Sequence, residues 1–395
     1  MNTVKYIDEV EVKNKTVLLR VDFNVSLNPD FTFADDARIR QSLPTINFLL
    51  KKNNRLILVC HLDRPKTRDP KYSVKVVADK LQEYLSGYKI KVINDFLNQK
   101  DLEVIKKQGE KEIFILENIR FYPEEKKNDP EFSKKLAGLA DIYINDAFGV
   151  SHRNNASVVG ITQFIPSYGG LLLKKETEII SKVLKNLKKP VVVILGGAKI
   201  STKIDLISRL LELADYLLIG GGMANTFLAA QGFNVGTSFY EKESLEDAKK
   251  ILFCAAQKNT AIVLPPDVII GHPEEKQNGN DVKKISELPK DGNILDIGPE
   301  TQAKFGAVIT KAKTIIWNGP VGYFENPLFR RGTDFIYYAI TQNQQATSIV
   351  GGGDTLAAIS KKEYLDKITH ISTGGGAMLE FIEKGTLLGI EALKR

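Results

Sequence analysis

The chain has 395 residues, is 43% hydrophobic and 26% charged, and carries a net charge of +7. That is enough length and apolar content for two domains with separate cores. No apolar run approaches the ~20 residues a membrane helix needs, and the polar start Met1–Val10 reads as neither a signal nor a transit peptide. The two cysteines, Cys60 and Cys254, lie far apart beside apolar runs, and no His/Cys cluster has zinc spacing. The expectation is a cytoplasmic protein with free thiols and no membrane partner.

Short β-branched runs recur along the chain, separated by amphipathic stretches. In the first half the predicted strands are Thr16–Val21, Leu56–Cys60, Lys89–Ile93, Glu112–Leu116 and Asp141–Asn145. In the second half they are Val191–Leu195, Tyr216–Ile219, Ala261–Leu264, Asn293–Asp296, Thr314–Trp317, Ser348–Val350 and Ile368–Ser372. Helical patterns such as Val74–Leu85, Asp205–Ala214 and Ser244–Gln257 fall between them. Apolar strands alternating with helices indicate parallel sheets covered on both faces, an α/β architecture. Twelve strands are too many for one comfortable sheet, so the reading is two doubly wound, Rossmann-like domains. Lys174–Lys189, apolar at helical spacing between lysines and followed by Pro190, is read as the helix joining them; a crossover helix within one sheet is the alternative.

Ligands in such sheets bind beyond the carboxyl ends of the strands. In the first half those ends deliver arginine: eight of the twelve arginines precede residue 154. RVDFNV puts Arg20, Asp22 and Asn24 at alternate positions and is followed by Arg38; HLDRP brings His61 and Arg64, ENIRF brings Arg120, and DAFGVSHRN brings Asp146, His152 and Arg153. Singly each is an ordinary ion pair or cap; together they specify a pocket for an anionic small molecule. The lysine-rich remainder reads as a solvated surface, and no basic run interleaved with aromatics suggests nucleic acid.

The second half ends its strands in glycines: GGAKISTKI at 196–204, GGGMANTF at 220–227, WNGPVGYFE at 317–325, GGGDTLAA at 351–358 and TGGGA at 373–377. This points to a ligand held by backbone N–H groups and helix N-termini, which means phosphates. Lys199 and Lys203 are spaced i, i+4, on one face if the segment is helical. Asp354 is a helix N-cap or a Mg²⁺ ligand on those phosphates, and Glu325 caps a turn or accepts from ribose hydroxyls. No P-loop, no G-x-G-x-x-G and no protein-kinase motif pair is present.

RVDFNV, HLDRP, ENIRF, DAFGVSHR, GGAKISTKI, WNGPVGYFE, GGGDT and STGGGA stand in an order that resembles phosphoglycerate kinases over essentially the whole chain. The resemblance implies transfer of a phosphoryl group between 1,3-bisphosphoglycerate with MgADP and 3-phosphoglycerate with MgATP. It implies that Asp22, Asn24, Arg38, His61, Arg64, Arg120 and Arg153 bind the glycerate, with Phe23, Leu62 and Asp63 from the same motifs. Gly196, Gly197, Lys199, Lys203, Asn318, Glu325, Gly352, Gly353, Asp354 and Thr355 would bind nucleotide, Asp354 nearest the metal. Arg38, Lys203 and the N–H groups of Gly374, Gly375 and Gly376 would stabilise the phosphoryl in transit. A two-domain, hinge-closing monomer is implied, with boundaries at 1–173, 174–189 and 190–374 and residues from about 375 returning to the first domain. The attacking group is already anionic, so no general base is needed, and none of the usual nucleophile–base constellations stands out.

Four departures from the family pattern are visible. Asp63 stands where glycine is usual, Asn155 replaces the second histidine of HRxHAS, and IEKGTLLG at 382–389 replaces the usual LEGK and PG near the end; RVDFNV is also followed by Ser26 rather than proline. A two-domain anion-binding protein without catalysis, and a kinase for another small acid, are the rival readings.

Overall fold

A computed structural model describes residues 3–28, 32–276, 281–359 and 362–394. The chain divides into two compact units, Met1–Glu178 with Lys384–Arg395, and Ile179–Glu383. The passage of the chain into its final segment therefore falls at Lys384 rather than at residue 375, and the helix Gly375–Lys384 belongs almost wholly to the second unit.

The first unit is built on a six-stranded parallel sheet in the order Lys89–Ile93, Glu112–Leu116, Arg55–Val59, Thr16–Arg20, Ile142–Asn145, Ser167–Gly169. Its inner strands are apolar through their middles because helices cover both faces. Val17, Leu19, Leu56, Leu58, Ile113, Ile115 and Ile144 form one continuous core with Ile39, Ile46 and Leu49 of the helix Ala37–Leu50. From the first strand the chain proceeds to one side and later crosses to Ile142–Asn145 on the other. The topological switch point thus lies between the strands ending at Arg20 and Asn145, where a ligand is expected.

The second unit carries a six-stranded parallel sheet in the order Ala261–Val263, Tyr216–Ile219, Val191–Leu195, Thr314–Asn318, Thr347–Gly351, His370–Ser372. In order of appearance within the unit this is 3-2-1-4-5-6, the doubly wound order, with its switch point between the strands ending at Leu195 and Asn318.

Two differences from the expected strands have physical causes. Asn293–Asp296 does not extend a parallel sheet: the observed strand Ile294–Ile297 pairs antiparallel with Asp267–Ile270, which also pairs antiparallel with Asp281–Lys284. The third member reads DVKK and is mostly exposed, so it carries no hydrophobic signal. Ser167–Gly169, the sixth strand of the first sheet, is only three residues long and follows Pro166.

The helix expected at Lys174–Lys189 spans Leu171–Lys185. Its start is displaced because its cap is distant in sequence: Asp146 Oδ1 accepts the N–H groups of Leu172 at 2.8 Å and Leu173 at 3.2 Å. Asp146 therefore serves the helix, and burial pushes its carboxyl up to about 7 against the pull of those hydrogen bonds. In the final segment Gly389 N–H donates to Ser151 O at 2.7 Å, and a Cβ at Gly389 would stand 2.7 Å from Val158 Cγ1. The altered IEKGTLLG run thus ends in a close contact beneath the loop that carries His152 and Arg153.

Candidate active site

In the first unit the arginine-bearing strand ends meet. Arg38 Nη1 reaches Asp22 Oδ2 at 3.1 Å and the carbonyl of Asn24 at 2.9 Å. Asn24 N–H donates to Asp22 Oδ1 at 3.3 Å, while Asn24 Oδ1 accepts the N–H of Asp63 at 2.7 Å. Asp63 has φ 55, the left-handed conformation in which glycine is strain-free and Asp is tolerated. Its carbonyl accepts from Arg120 Nη1, and its Oδ1 takes the N–H of Arg64 at 2.8 Å. The carboxylate that the sequence marks as unusual is thus folded onto its own loop.

Electrostatics tie the remaining members to the same place. Burial first, and then the charges of Arg20, Arg153, Arg38 and Arg64, hold His61 well below the ordinary histidine range, so it is neutral. Burial lowers Arg153 as well; Asp22 opposes this, and Arg64, Arg20 and Arg38 add to it. Four guanidinium groups and one neutral imidazole therefore share a field, with Asp22 the carboxylate ion-paired to one of them, Arg38. Such a cluster is poised for a multiply charged anion. Phe23 and Leu62 put their side chains into the core, leaving only their backbone to face a ligand.

In the second unit a cleft of ≈ 420 Å³ opens at the switch point, lined by Gly197, Ala198, Gly221, Gly222, Phe239, Pro320, Val321, Glu325 and Asp354 among others. Its floor is backbone against backbone. A Cβ on Gly196 would lie 2.0 Å from Pro320 O, and one on Gly319, at φ +91, would lie 2.5 Å from the Gly196 carbonyl. Only glycine lets the two strand ends close to this distance. Gly352 and Gly375 meet in the same way, a Cβ on Gly375 standing 2.3 Å from Gly352 Cα.

Lys203 enters this floor and donates from Nζ to Gly196 O at 2.9 Å. Burial lowers its ammonium to about 8, with Asp354 pulling the other way. The helix here begins at Ile204, with Lys203 preceding it at φ −133. The 199–203 segment is therefore a turn, and the expected stacking of Lys199 on Lys203 along a helical face does not occur; Lys199 is exposed. Its turn is fastened by Glu241, which accepts the N–H groups of Ile200 at 2.6 Å and Ser201 at 3.0 Å.

Asn318 and Thr355 are buried and committed to the protein. Asn318 Nδ2 donates to Gly351 O at 2.6 Å, and Thr355 Oγ1 accepts the N–H of Gly319 at 2.7 Å while donating to Gly351 O at 3.0 Å. They clamp the strand ends and so shape the cleft. Asp354 and Glu325 are exposed and line it. Gly375 and Gly376 open a ten-residue helix with no acidic residue in its first turn, and their N–H groups have no intrahelical acceptor. Gly374 N–H lies 3.3 Å from Ser372 Oγ. The exposed aromatic wall at Phe239 carries no motif and is not apparent from the sequence.

A glycine floor too tight for any Cβ, a buried lysine and two exposed carboxylates, Asp354 and Glu325, suit a nucleotide polyphosphate with Mg²⁺. That ion typically keeps several waters and takes one or two carboxylates plus phosphate oxygens. No cluster of three or more His, Cys, Asp or Glu that could hold a metal ion exists among the described residues.

A family model for phosphoglycerate kinase matches residues 7–385. The chain belongs to the phosphoglycerate kinase family. It is 46% identical over 392 residues to the phosphoglycerate kinase of Dictyoglomus turgidum, covering 99% of this chain and 98% of that one. It is 42% identical over 394 residues to a cytosolic phosphoglycerate kinase of Nicotiana tabacum, covering 99% and 98%. Among solved structures, phosphoglycerate kinase from Coxiella burnetii superposes with a TM-score of 0.82 at 36% identity, covering 99% of this chain and 98% of that one. The chain is thus a kinase that transfers a phosphoryl group reversibly between 1,3-bisphosphoglycerate with MgADP and 3-phosphoglycerate with MgATP, a glycolytic step.

Proposed function

We propose that the arginine cluster of the first unit binds the glycerate substrate and the glycine-floored cleft of the second binds the nucleotide. What supports the reading is that each chemistry is concentrated at one sheet's switch point: guanidinium groups around Asp22 in one unit, backbone donors around Lys203 in the other. Arg64, Arg120 and Arg153 hold the charged ends of the glycerate, and His61 and Asn24 add uncharged polar contacts. The apolar wall at Phe239 and Val321 takes the base, and Glu325 accepts from the ribose. Asp354 would hold Mg²⁺, which when bound neutralises phosphate charge. Met1–Glu178 and Ile179–Glu383 act as the two substrate-carrying domains with the Leu171–Lys185 helix as their joint, in a cytoplasmic monomer; the name of the tobacco relative supports that compartment.

The attacking oxygen is a carboxylate or a nucleotide phosphate, anionic at neutral pH, so the protein abstracts no proton. Its tasks are in-line positioning and cancellation of charge. Arg38 stabilises the transferring phosphoryl from the glycerate side. Lys203 and the N–H groups of Gly374, Gly375 and Gly376 stabilise it from the nucleotide side. Bringing the two ligands together also excludes water, which would otherwise hydrolyse the acyl phosphate.

Arg38→Ala tests the assignment. Turnover of 3-phosphoglycerate with MgATP should fall by roughly a hundredfold or more, while nucleotide affinity stays within about twofold. Arg64→Ala should act chiefly on the KM for the glycerate. An unchanged kcat in Arg38→Ala would remove Arg38 from the reaction.

A further inference from the structure

Arg20 is assigned nothing in the scheme above, yet it is the most completely buried of the cluster's arginines, at 2% exposure. Its Nε donates to Ser157 Oγ at 2.9 Å, its Nη1 donates to the carbonyls of Val21 and Val59, and its Nη2 meets His61 Nδ1 at 3.3 Å. A guanidinium has no acceptor atom and keeps its proton in proteins. The contact with His61 therefore requires Nδ1 to be the acceptor. A neutral imidazole with a bare Nδ1 carries its hydrogen on Nε2. That Nε2 is buried and has no partner among the described residues. A buried unpaired N–H is costly, which makes sense for a donor whose partner is a bound ligand.

The arginine is itself fixed from behind. Ser157 Oγ passes its hydrogen to Glu125 Oε1 at 2.7 Å, Ser157 N–H donates to Glu125 Oε2 at 2.8 Å, and Asn155 Nδ2 donates to Oε1 at 3.0 Å. Glu125 and Ser157 are as buried as Arg20. Every link has one possible direction, from Arg20 to Ser157 to Glu125, and the buried charges of Arg20 and Glu125 balance across one hydroxyl. A chain of this kind is polarised and rigid.

We propose that Arg20 is a positioning residue for the glycerate site, locking His61 as the neutral Nε2–H tautomer so that the ring presents an uncharged donor to a substrate oxygen. The other tautomer would turn a lone pair toward an anion. The charge needed there is already supplied by Arg38, Arg64 and Arg153, so a neutral donor adds a directed bond without adding another cation to a crowded field. The inference rests on His61 serving the glycerate, and its test separates the two.

The experiment uses the full chain with ¹⁵N-labelled histidine; with four histidines in the sequence, His61→Leu assigns the resonance. Long-range ¹H–¹⁵N correlations should show His61 protonated at Nε2 alone from pH 6 to pH 8. A signal from Nδ1–H or from the imidazolium would overturn the proposal. Arg20→Met should mix the tautomers and raise the KM for 3-phosphoglycerate roughly tenfold, the loss of one charge-assisted hydrogen bond, with the nucleotide KM within about twofold. Arg20→Lys, still a donor only, should restore the Nε2–H tautomer and most of the affinity. Ser157→Ala, a milder cut in the same chain, should raise the glycerate KM in the same sense should Arg20→Met not fold. A wild-type spectrum and KM in Ser157→Ala or Arg20→Met would refute the chain. An unchanged glycerate KM in His61→Leu would instead take His61 out of the glycerate site and end the positioning role, whatever the tautomer.

Discussion

Lys203 sits where function and stability conflict, and Lys203→Met exposes the conflict. Burial lowers the ammonium to about 8, against ~10.4 for a free lysine. Below pH 8 the side chain is charged in both folded and unfolded chains, and the folded protein bears the full cost of burying it. Between about pH 8 and pH 10.4 the unfolded chain holds the proton that the folded one has lost, so stability rises with pH across that window. The difference corresponds to about 3 kcal/mol. Methionine has similar length and no charge, so nucleotide-free Lys203→Met should be more stable than wild type at pH 7, by an amount approaching that figure less the lost bond to Gly196 O. The advantage should shrink steadily toward pH 10. Calorimetry of both proteins at matched pH values reads the difference directly. The same depression predicts that wild-type nucleotide affinity falls about tenfold from pH 7 to pH 9, with proton uptake on binding, and that the variant shows neither. A variant less stable than wild type at pH 7, or a difference that does not change with pH, would refute the reasoning.

Asp63→Gly should change stability by less than about 1 kcal/mol. Relief of the left-handed backbone at φ 55 offsets the lost Oδ1 bond to Arg64 N–H and the added freedom of glycine in the unfolded chain. It should also lower the glycerate KM a few-fold at low salt, since a unit charge at ~7 Å in bulk water is worth about 0.6 kcal/mol per substrate charge. A KM independent of both the substitution and salt would count against a role for that carboxylate. Asn155→His would place an imidazole on buried Glu125 in place of the 3.0 Å amide bond. Its folded pKa should exceed ~6.5, giving stability that is full below pH 6.5 and lost as pH rises through the folded value. Thermal unfolding from pH 5.5 to 8 should show this slope in the variant and not in wild type.

Much of the fold is legible because parallel strands buried on both faces, such as Val191–Leu195 and Ile142–Asn145, read as unbroken apolar runs. What is lost is lost for local reasons. Asp281–Lys284 is polar and exposed, Ser167–Gly169 is short, and the start of the Leu171–Lys185 helix is set by Asp146, which is distant in sequence. The site is legible to the extent that its chemistry lies at strand ends. Arg38, His61, Arg64 and Arg153 do share one field, as their mutual effects on His61 require. Asn318 and Thr355 show the limit: other residues of their motifs line the cleft, but these two side chains are spent inside the protein. Glu125 and Glu241 leave no such signal, because nothing in a single sequence distinguishes an anchoring carboxylate from a free surface one.

Those anchoring carboxylates follow a logic of their own. Asp146, Asp267 and Asp296 each cross from another element to accept N–H groups at the start of a helix: Leu172 and Leu173, Glu300 and Thr301, and Gly332. Burial pushes Asp146 and Asp296 up to about 7, a cost the fold tolerates because an open helix start would be worse. The helix at Gly375 has no acidic residue in its first turn; the short one led by Gly352 has no side-chain cap but carries Asp354 in its first turn. A protein carboxylate capping the Gly375 start would occupy its donors and repel a phosphate. At the three starts served by Asp146, Asp267 and Asp296 the chain supplies its own carboxylate, and at Gly375 it supplies none, as the phosphate-binding role proposed for that start requires.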